Sequence, residues 1–174
     1  MKTKLSILTV LAVSTILMLS GCAKDGRNGT NGTNGLDGNA NVIYSPWYTP
    51  TAWSGTSGDW YFDISNSAIS HDIVEGGVIL AYVSLPGDIY DKAVRPIPAY
   101  ALGCNWDYLI PYYGKIEFLC DAVNMPGTSN YFFRFILIPA NTALKSTTGN
   151  KYPSAEELRK MSYIEICKKF GIPE

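Results

Sequence analysis

The stretch VILAYVSL at residues 78–85 is the part of the sequence that most clearly decides the fold. Side chains alternate between the two faces of a strand, so Leu80 and Tyr82 would lie on one face and Ile79 and Val83 on the other. Both faces are therefore apolar. A short run of this kind, closed by a turn, is typical of a strand that is buried on both sides, and it predicts a central strand.

Further short strands are predicted on either side of this central strand. They lie at residues 42–45, 60–65, 108–112, 115–121 and 131–138. Residues 95–101 contain Pro96 and Pro98, which cannot donate to a neighbouring strand, so this segment can form only an edge strand or an extended loop. About seven short strands with turn residues between them predict an all-β fold, a β-sandwich, with a partly open barrel as the alternative.

The period of the sequence changes at the C-terminus. Residues 154–157 and 162–165 both follow the pattern Ser-x-x-Glu, in which each side chain caps a backbone N–H at the start of a helix. Two short helices are therefore predicted, and we expect the second to close one end of the sandwich. Its apolar face would consist of Tyr163, Ile166, Cys167 and Phe170.

The first 40 residues have a different character. Residues 1–21 form a predicted signal peptide, with two lysines followed by an apolar run that is too short to span a membrane. LSGC at residues 19–22 resembles the bacterial lipobox, which implies that Cys22 becomes the lipidated first residue of the mature chain. Ala23 is not the aspartate that favours inner-membrane retention, so we expect an outer-membrane lipid anchor, facing the periplasm or the surface. An ordinary secreted protein is the alternative.

A glycine repeat follows within residues 22–40. Every third residue is glycine, at Gly26, Gly29, Gly32, Gly35 and Gly38. This is the spacing of a collagen triple helix, but the triplets contain no proline, and five triplets offer few contacts between chains. The repeat favours a flexible spacer that carries a β-sandwich domain at residues 41–174. A homotrimer seeded by the repeat stays open, and light scattering of the delipidated protein would test it.

Three segments carry a resemblance to a known family. They are GNANVIY at residues 38–44, FFRFILIP at residues 132–139 and the closing segment from residue 163 that ends in FGIP. Together with the glycine triplets, they resemble an uncharacterised family of collagen-like lipoproteins of Bacteroidota. The resemblance implies an architecture and a location in the cell envelope, but no activity.

Catalytic and cofactor chemistry finds little support. His71 is the only histidine and reads as a surface residue, and no Cys-x-x-Cys or His-x-x-x-His spacing predicts a metal site. A net charge of −1 argues against nucleic acid as a partner. We therefore expect no cofactor, no metal and no catalytic residue. A glycosidase-like carboxylate pair stays open as an alternative, because its two acids can be distant in the chain. Its candidates are Asp59, Asp63, Asp72, Glu75, Asp88 and Asp107.

Cysteines and aromatic residues supply the remaining candidates. After lipidation Cys104, Cys120 and Cys167 remain, and an odd number leaves one unpaired. Buried free thiols are expected, with Cys104 and Cys120 as the disulfide pair to test first. Arg134 is expected to face solvent or to pair with an acid. The loop aromatics could stack on sugar rings or could simply cap the sandwich; they are Trp47, Tyr48, Trp53, Tyr112 and Tyr113.

These observations predict a membrane-anchored envelope lipoprotein. Its β-sandwich would be non-enzymatic, with a structural or protein-interaction role. A carbohydrate-binding module at the cell surface is the alternative.

Overall fold

The computed structural model describes residues 41–140 and 153–174, and all of them belong to one compact unit, Asn39–Glu174. The predicted signal peptide, Cys22 and the glycine triplets lie outside the described residues. Nine strands are found within these two ranges. They are β1 (Ile43–Tyr44), β2 (Ser54–Thr56), β3 (Asp59–Ser65), β4 (Val78–Ser84), β5 (Val94–Ile97), β6 (Ala99–Ala101), β7 (Cys104–Leu109), β8 (Lys115–Cys120) and β9 (Phe132–Ile138).

The strands form two antiparallel sheets. The first has the order β1-β9-β4-β5 and the second has the order β2-β3-β8-β7-β6. This arrangement confirms the predicted all-β sandwich. The strand count exceeds the prediction because β2, in a segment with the composition of a loop, pairs with β3, and because residues 95–101 form two strands.

The segment with two prolines crosses between the sheets. β5 pairs with β4 at the edge of the first sheet, and β6 pairs with β7 at the edge of the second. The Ile97–Pro98 peptide bond between them is cis. The predicted edge position is therefore confirmed in both sheets, and the missing N–H groups of Pro96 and Pro98 interrupt no central ladder.

The central strand is β4, as predicted from its two apolar faces. It pairs with β9 from Val78 opposite Ile138 to Ser84 opposite Phe132. Its residues Ile79, Ala81 and Val83 face the other sheet and join the core between the sheets. The largest buried residues of that core include Trp106, Phe118, Phe133 and Phe135.

The opposite face of β4 builds a second core. Val78, Leu80 and Tyr82 lie there with Ile136 and Ile138 of β9. Two helices cover this face, α2 (Ala155–Lys160) and α3 (Tyr163–Phe170), and each begins with the predicted capping box. Their buried residues are Leu158, Tyr163, Ile166, Cys167 and Phe170. The helices are confirmed, but the predicted place of α3 at one end of the sandwich is wrong, because the outer sheet face is apolar and must be covered.

A third helix, α1 (His71–Gly76), precedes β4 and was not predicted. The Ser70 side chain accepts a hydrogen bond from the Ile73 N–H at 3.4 Å and caps it. The helix is too short for an apolar period to appear in the sequence, and Ile73 is its only buried residue.

The register defines two ends of the sandwich. At the entry end β1 begins, β9 finishes and α1 leads into β4. At the far end lie the loops at residues 85–93, 102–103 and 121–131. Ser84 ends β4 directly opposite Phe132, where β9 begins, so the loop that leaves β4 and the loop that enters β9 share this end. The loop that enters β9 starts after Cys120 of β8, and Cys104 begins β7 at the same end of the second sheet, which places residues 102–103 there too.

Candidate functional site

The three predicted stacking aromatics do not form one surface. Trp53 is 7% exposed and lies between the sheets, with its ring centroid 5.1 Å from that of Phe62 and its indole N–H donating to the Gly127 carbonyl at 3.0 Å. Tyr48 is half-buried and stacks on Phe135. Trp47 packs on the other side of the four-stranded sheet, against Tyr163. Trp53 is buried too deeply to stack on a sugar. It therefore has a packing role, which is closer to the predicted capping of the sandwich than to ligand binding.

Arg134 does not face solvent, and it pairs with no acid among residues 41–140 and 153–174, so the expectation for it is wrong. It is 4% exposed on the outer face of β9, directly opposite Tyr82. Its Nε donates to the Ser45 carbonyl at 2.9 Å, and its Nη1 donates to the Pro173 carbonyl at 2.8 Å and to the Tyr163 hydroxyl.

Aromatic rings complete the surroundings of this guanidinium. Its Cζ lies 5.1 Å from the ring centroid of Tyr44, 5.5 Å from that of Trp47 and 5.8 Å from that of Tyr163. Burial raises the pKa of the Tyr163 hydroxyl to about 12, so that hydroxyl stays neutral. The cation is thus held by carbonyl dipoles and ring faces, and it joins β9 to the C-terminal segment.

An open groove of about 710 Å³ lies at the entry end, beside α1. Its polar lining includes Asn41, Ser70, Asp72 and Glu75. Just outside it, the Tyr113 hydroxyl donates to Glu75 at 3.0 Å, a hydrogen bond that raises the pKa of Tyr113.

His71 also lines this groove. It is exposed, as expected, with its Nδ1 atom 3.5 Å from Asp72 and its ring 5.3 Å from that of Tyr113. The side chains of His71 and Asp72 are 67% and 98% exposed, so both lie largely in solvent.

The candidate carboxylates are spread over the domain. Asp63 forms an ion pair with Lys115 on the solvent side of the five-stranded sheet, with 2.6 Å between the Lys115 Nζ and the Asp63 Oδ2 atoms. Glu117 lies opposite Asp63, and partial burial, followed by a hydrogen bond with Asp63, raises its pKa. Asp88 is bound by Arg95 at the far end. Within the described residues Asp63 and Asp88 therefore serve separate ion pairs, and Asp63 also lies beside Glu117 on the solvent side of its sheet.

The far end carries a recess that sequence reasoning missed. It has a volume of about 370 Å³. Apolar side chains rim it: Leu102 is 45% exposed, Val123 is 76% exposed and Met125 is 59% exposed. None of the residues that line it is charged. They are Leu102, Gly103, Cys104, Trp106, Ala122, Val123, Asn124, Met125, Pro126, Gly127 and Tyr131.

Hydrogen bonds to its backbone fix the loop at residues 121–131, which forms much of this recess. The Ala122 carbonyl accepts from the Gly58 N–H at 2.9 Å and from the Trp60 indole at 3.0 Å. The Trp53 indole binds Gly127 in the same loop. The backbone is therefore tied at two points while the side chains of Val123 and Met125 project outward. The only signal in the sequence is a pair of apolar residues inside a turn-rich segment, which is too weak to mark a site.

The cysteines lie in both cores. Cys104 and Cys120 are buried in the core between the sheets, with their Sγ atoms 3.5 Å apart, and Cys167 is buried in the second core. In the part of the chain that the structure describes, none of these three cysteines is bonded to another. The structure thus brings together the two cysteines that the sequence singled out as a pair.

The described residues also bear on metal binding and on membrane crossing. Within residues 41–140 and 153–174, no group of three or more histidine, cysteine or acidic side chains could hold a metal ion. No helix in those ranges has the length and apolar character needed to cross a membrane. Comparison with protein-family models, with curated proteins and with solved structures found no match to this chain.

Proposed function

We propose that this protein is a lipid-anchored envelope protein whose β-sandwich acts as a non-enzymatic protein-interaction module. The lipobox-like sequence ending at Cys22 supports the anchor, and the glycine triplets support a spacer between anchor and domain. The observation that carries the interaction role is the uncharged far-end recess with its apolar rim.

The position of the recess suits a displayed domain. The chain leads into β1 at the entry end, and the recess lies at the opposite end of the sandwich. A domain held at its entry end would present the far-end loops away from its point of attachment.

The chemistry of the recess favours a protein partner over a sugar. Hot spots of protein interfaces are apolar or aromatic anchors that enter well-packed pockets. Asn124 and Tyr131 supply the polar side-chain groups of the lining, so a sugar ring would leave most of its hydroxyls without partners. The occupant that fits is an apolar side chain of another protein. Because the loop backbone is already held in place, little ordering entropy is lost on binding.

The interaction is tested by site-specific cross-linking. A photo-reactive amino acid at position 123 should cross-link one defined protein in the native cells, and the same group at position 164, on the exposed face of α3, should not. Val123→Asp with Met125→Asp should then weaken binding of that purified protein at least about tenfold, because a buried unpaired carboxylate costs more than about 1.4 kcal/mol. Ile164→Asp is the matched control. Equal binding by both variants would show that the far end is not the interface.

The anchor needs its own test. Cys22→Ser should abolish incorporation of a labelled fatty acid and release the protein from the membrane fraction. Continued labelling, or a labelled chain that stays soluble, would contradict the lipoprotein assignment and leave the interaction proposal unaffected.

Carbohydrate binding is the second candidate, and the entry-end groove favours it. That groove combines an amide, a hydroxyl and two carboxylates with the exposed ring of Tyr113 close by. Binding on a glycan array that Tyr113→Ala removes and Tyr100→Ala leaves intact would support this role. Tyr100 on β6 is 68% exposed, against 50% for Tyr113, and is therefore a fair control for an exposed ring.

A further inference from the structure

Cys104 and Cys120 hold neighbouring positions in the five-stranded sheet. Cys104 is the first residue of β7 and Cys120 is the last residue of β8. Cys120 lies opposite Trp106, so Cys104 is its diagonal neighbour, and both side chains point into the core between the sheets. Their thiols are in contact across this diagonal, because the Cys120 S–H donates to the Cys104 Sγ.

We propose that Cys104 and Cys120 form a structural disulfide that joins β7 to β8 beneath the far-end recess. The two Sγ atoms are 3.5 Å apart, so closing the bond requires an approach of about 1.5 Å. Small rotations of two short side chains can supply that movement. This inference rests on the geometry of the pair and does not depend on the proposed function.

The pairing is unambiguous within the folded domain. Cys167 belongs to α3 and lies in the second core, on the far side of the four-stranded sheet from Cys104 and Cys120. It has no route to either of them without loss of the fold. The odd cysteine predicted from the sequence is therefore Cys167.

The bond forms by exchange with an incoming disulfide, such as that of oxidised glutathione. One cysteine, as its thiolate, attacks the glutathione disulfide and releases one glutathione; the second cysteine then attacks the mixed disulfide and releases the other. One S–S bond breaks and one forms, two electrons pass to glutathione, and the two protons of the cysteines end on the two glutathione thiols.

Burial determines when this exchange takes place. Burial raises the pKa of the Cys104 thiol, and it raises the pKa of Cys120 to about 12, so the thiolate that must attack is scarce in the folded domain. Cys104 borders the recess, whereas Cys120 is deeper. The exchange therefore belongs to the folding chain, before the core closes, and the finished bond is shielded from reductants.

The first test needs no variant. The full chain is unfolded, reduced and refolded in a mixture of reduced and oxidised glutathione, then alkylated and digested without reduction. Mass spectrometry should find the Cys104 and Cys120 peptides joined and the Cys167 peptide alkylated. Separate alkylated peptides for Cys104 and Cys120, or a link from either one to Cys167, would overturn the proposal.

Stability provides the second readout. The bond closes a loop with a sequence separation of 16, so reducing the unfolded protein before refolding should lower its Tm by roughly 10 °C. In Cys167→Ser the difference between oxidised and reduced Tm should persist, whereas in Cys120→Ser it should vanish. A difference that survives in Cys120→Ser, or that is absent in the wild type, would show that the two thiols are not bonded.

Discussion

Replacing Arg134 with methionine tests the joint between the sandwich and its helical layer. The guanidinium lies on the outer face of β9 and reaches both the strand side, through Ser45, and the C-terminal segment, through Pro173 and Tyr163. Methionine keeps most of the side-chain volume and removes the charge and all of the donors. We expect Arg134→Met to lower the free energy of unfolding by about 2 to 3 kcal/mol.

This magnitude is a balance of opposing contributions. Three hydrogen bonds from a charged donor contribute about 1.5 to 3 kcal/mol each, and the nearby rings add about 0.5 to 2 kcal/mol in total. Desolvation of the guanidinium opposes these contributions and reduces the net stabilisation by several kcal/mol. The six buried apolar residues of the two helices and the segment after them contribute about 1.5 to 3 kcal/mol each, so the helical layer should remain attached without Arg134.

Equilibrium unfolding in urea, followed by far-UV circular dichroism, measures the change. Hydrogen exchange locates it: amides of α2 and α3 should exchange faster in Arg134→Met, while those of β7 and β8 change little. Arg134→Lys provides a graded variant, because one ammonium cannot reach both carbonyls and should lose about half as much stability. Lys168→Met is the matched control, since it removes a cation from the exposed face of α3.

A loss below about 0.5 kcal/mol in Arg134→Met, or equal losses in Arg134→Met and Lys168→Met, would refute this reasoning. The first result would mean that desolvation cancels the contacts. The second would mean that any positive charge near the helices has the same effect, whatever its position.

Three further changes follow from particular contacts. Asp88→Asn should lower the free energy of unfolding by up to about 1 kcal/mol at neutral pH. The hydrogen bond from Arg95 lowers the pKa of Asp88 from 3.8 to about 2. In thermal melts at a series of pH values, the stability difference between wild type and variant should therefore be full above pH 3.8 and vanish as the pH falls through 2. Trp53→Ala should cost about 3 to 5 kcal/mol in urea, and Trp53→Phe about 1 to 2 kcal/mol from the unpaired carbonyl; a loss below 1 kcal/mol in Trp53→Ala would place the ring outside the core. In Gly55→Ala the new Cβ would lie 2.0 Å from a carbonyl oxygen, whereas Gly58→Ala meets nothing within 4 Å, so Gly55→Ala should have the lower Tm although both glycines have positive φ.

The strands were predictable wherever the sequence repeats on one face. In β8 the residues Ile116 and Phe118 alternate with Lys115 and Glu117, and the two apolar residues enter the core as expected. The capping boxes of α2 and α3 were equally clear, because a cap is a local hydrogen bond between residues three apart. Local patterns of this kind require no knowledge of the rest of the fold.

Burial that depends on a distant partner could not be predicted. Arg134 shares its face of β9 with Ile136 and Ile138, so the alternation of the strand assigns it to an apolar side. Only the position of α2 and α3 shows that this side is closed, and a residue there must be buried. Trp53 is a similar case. Its turn-rich neighbours in the sequence suggest an exposed loop, but its ring packs against Phe62 in the core between the sheets.

The far-end recess escaped prediction for a different reason. Val123 and Met125 belong to a loop without periodicity, and an apolar residue in a loop is as often buried as exposed. Their exposure follows from hydrogen bonds that hold the loop backbone at Ala122 and Gly127, and those bonds come from tryptophans far away in the sequence. The candidate site is therefore a product of tertiary structure, with no motif of its own.

The two-sided strand at residues 78–84 connects these findings. Because β4 is apolar on both faces, the four-stranded sheet needs a layer on its outer side as well as the second sheet on its inner side. The C-terminal helices supply that layer and cover an apolar face that would otherwise be exposed. The apolar side chains left at the far end are therefore not the remainder of an uncovered sheet. Leu102, Val123 and Met125 are exposed on loops that contribute little to either core, and this exposure supports the proposal that the far end binds another protein.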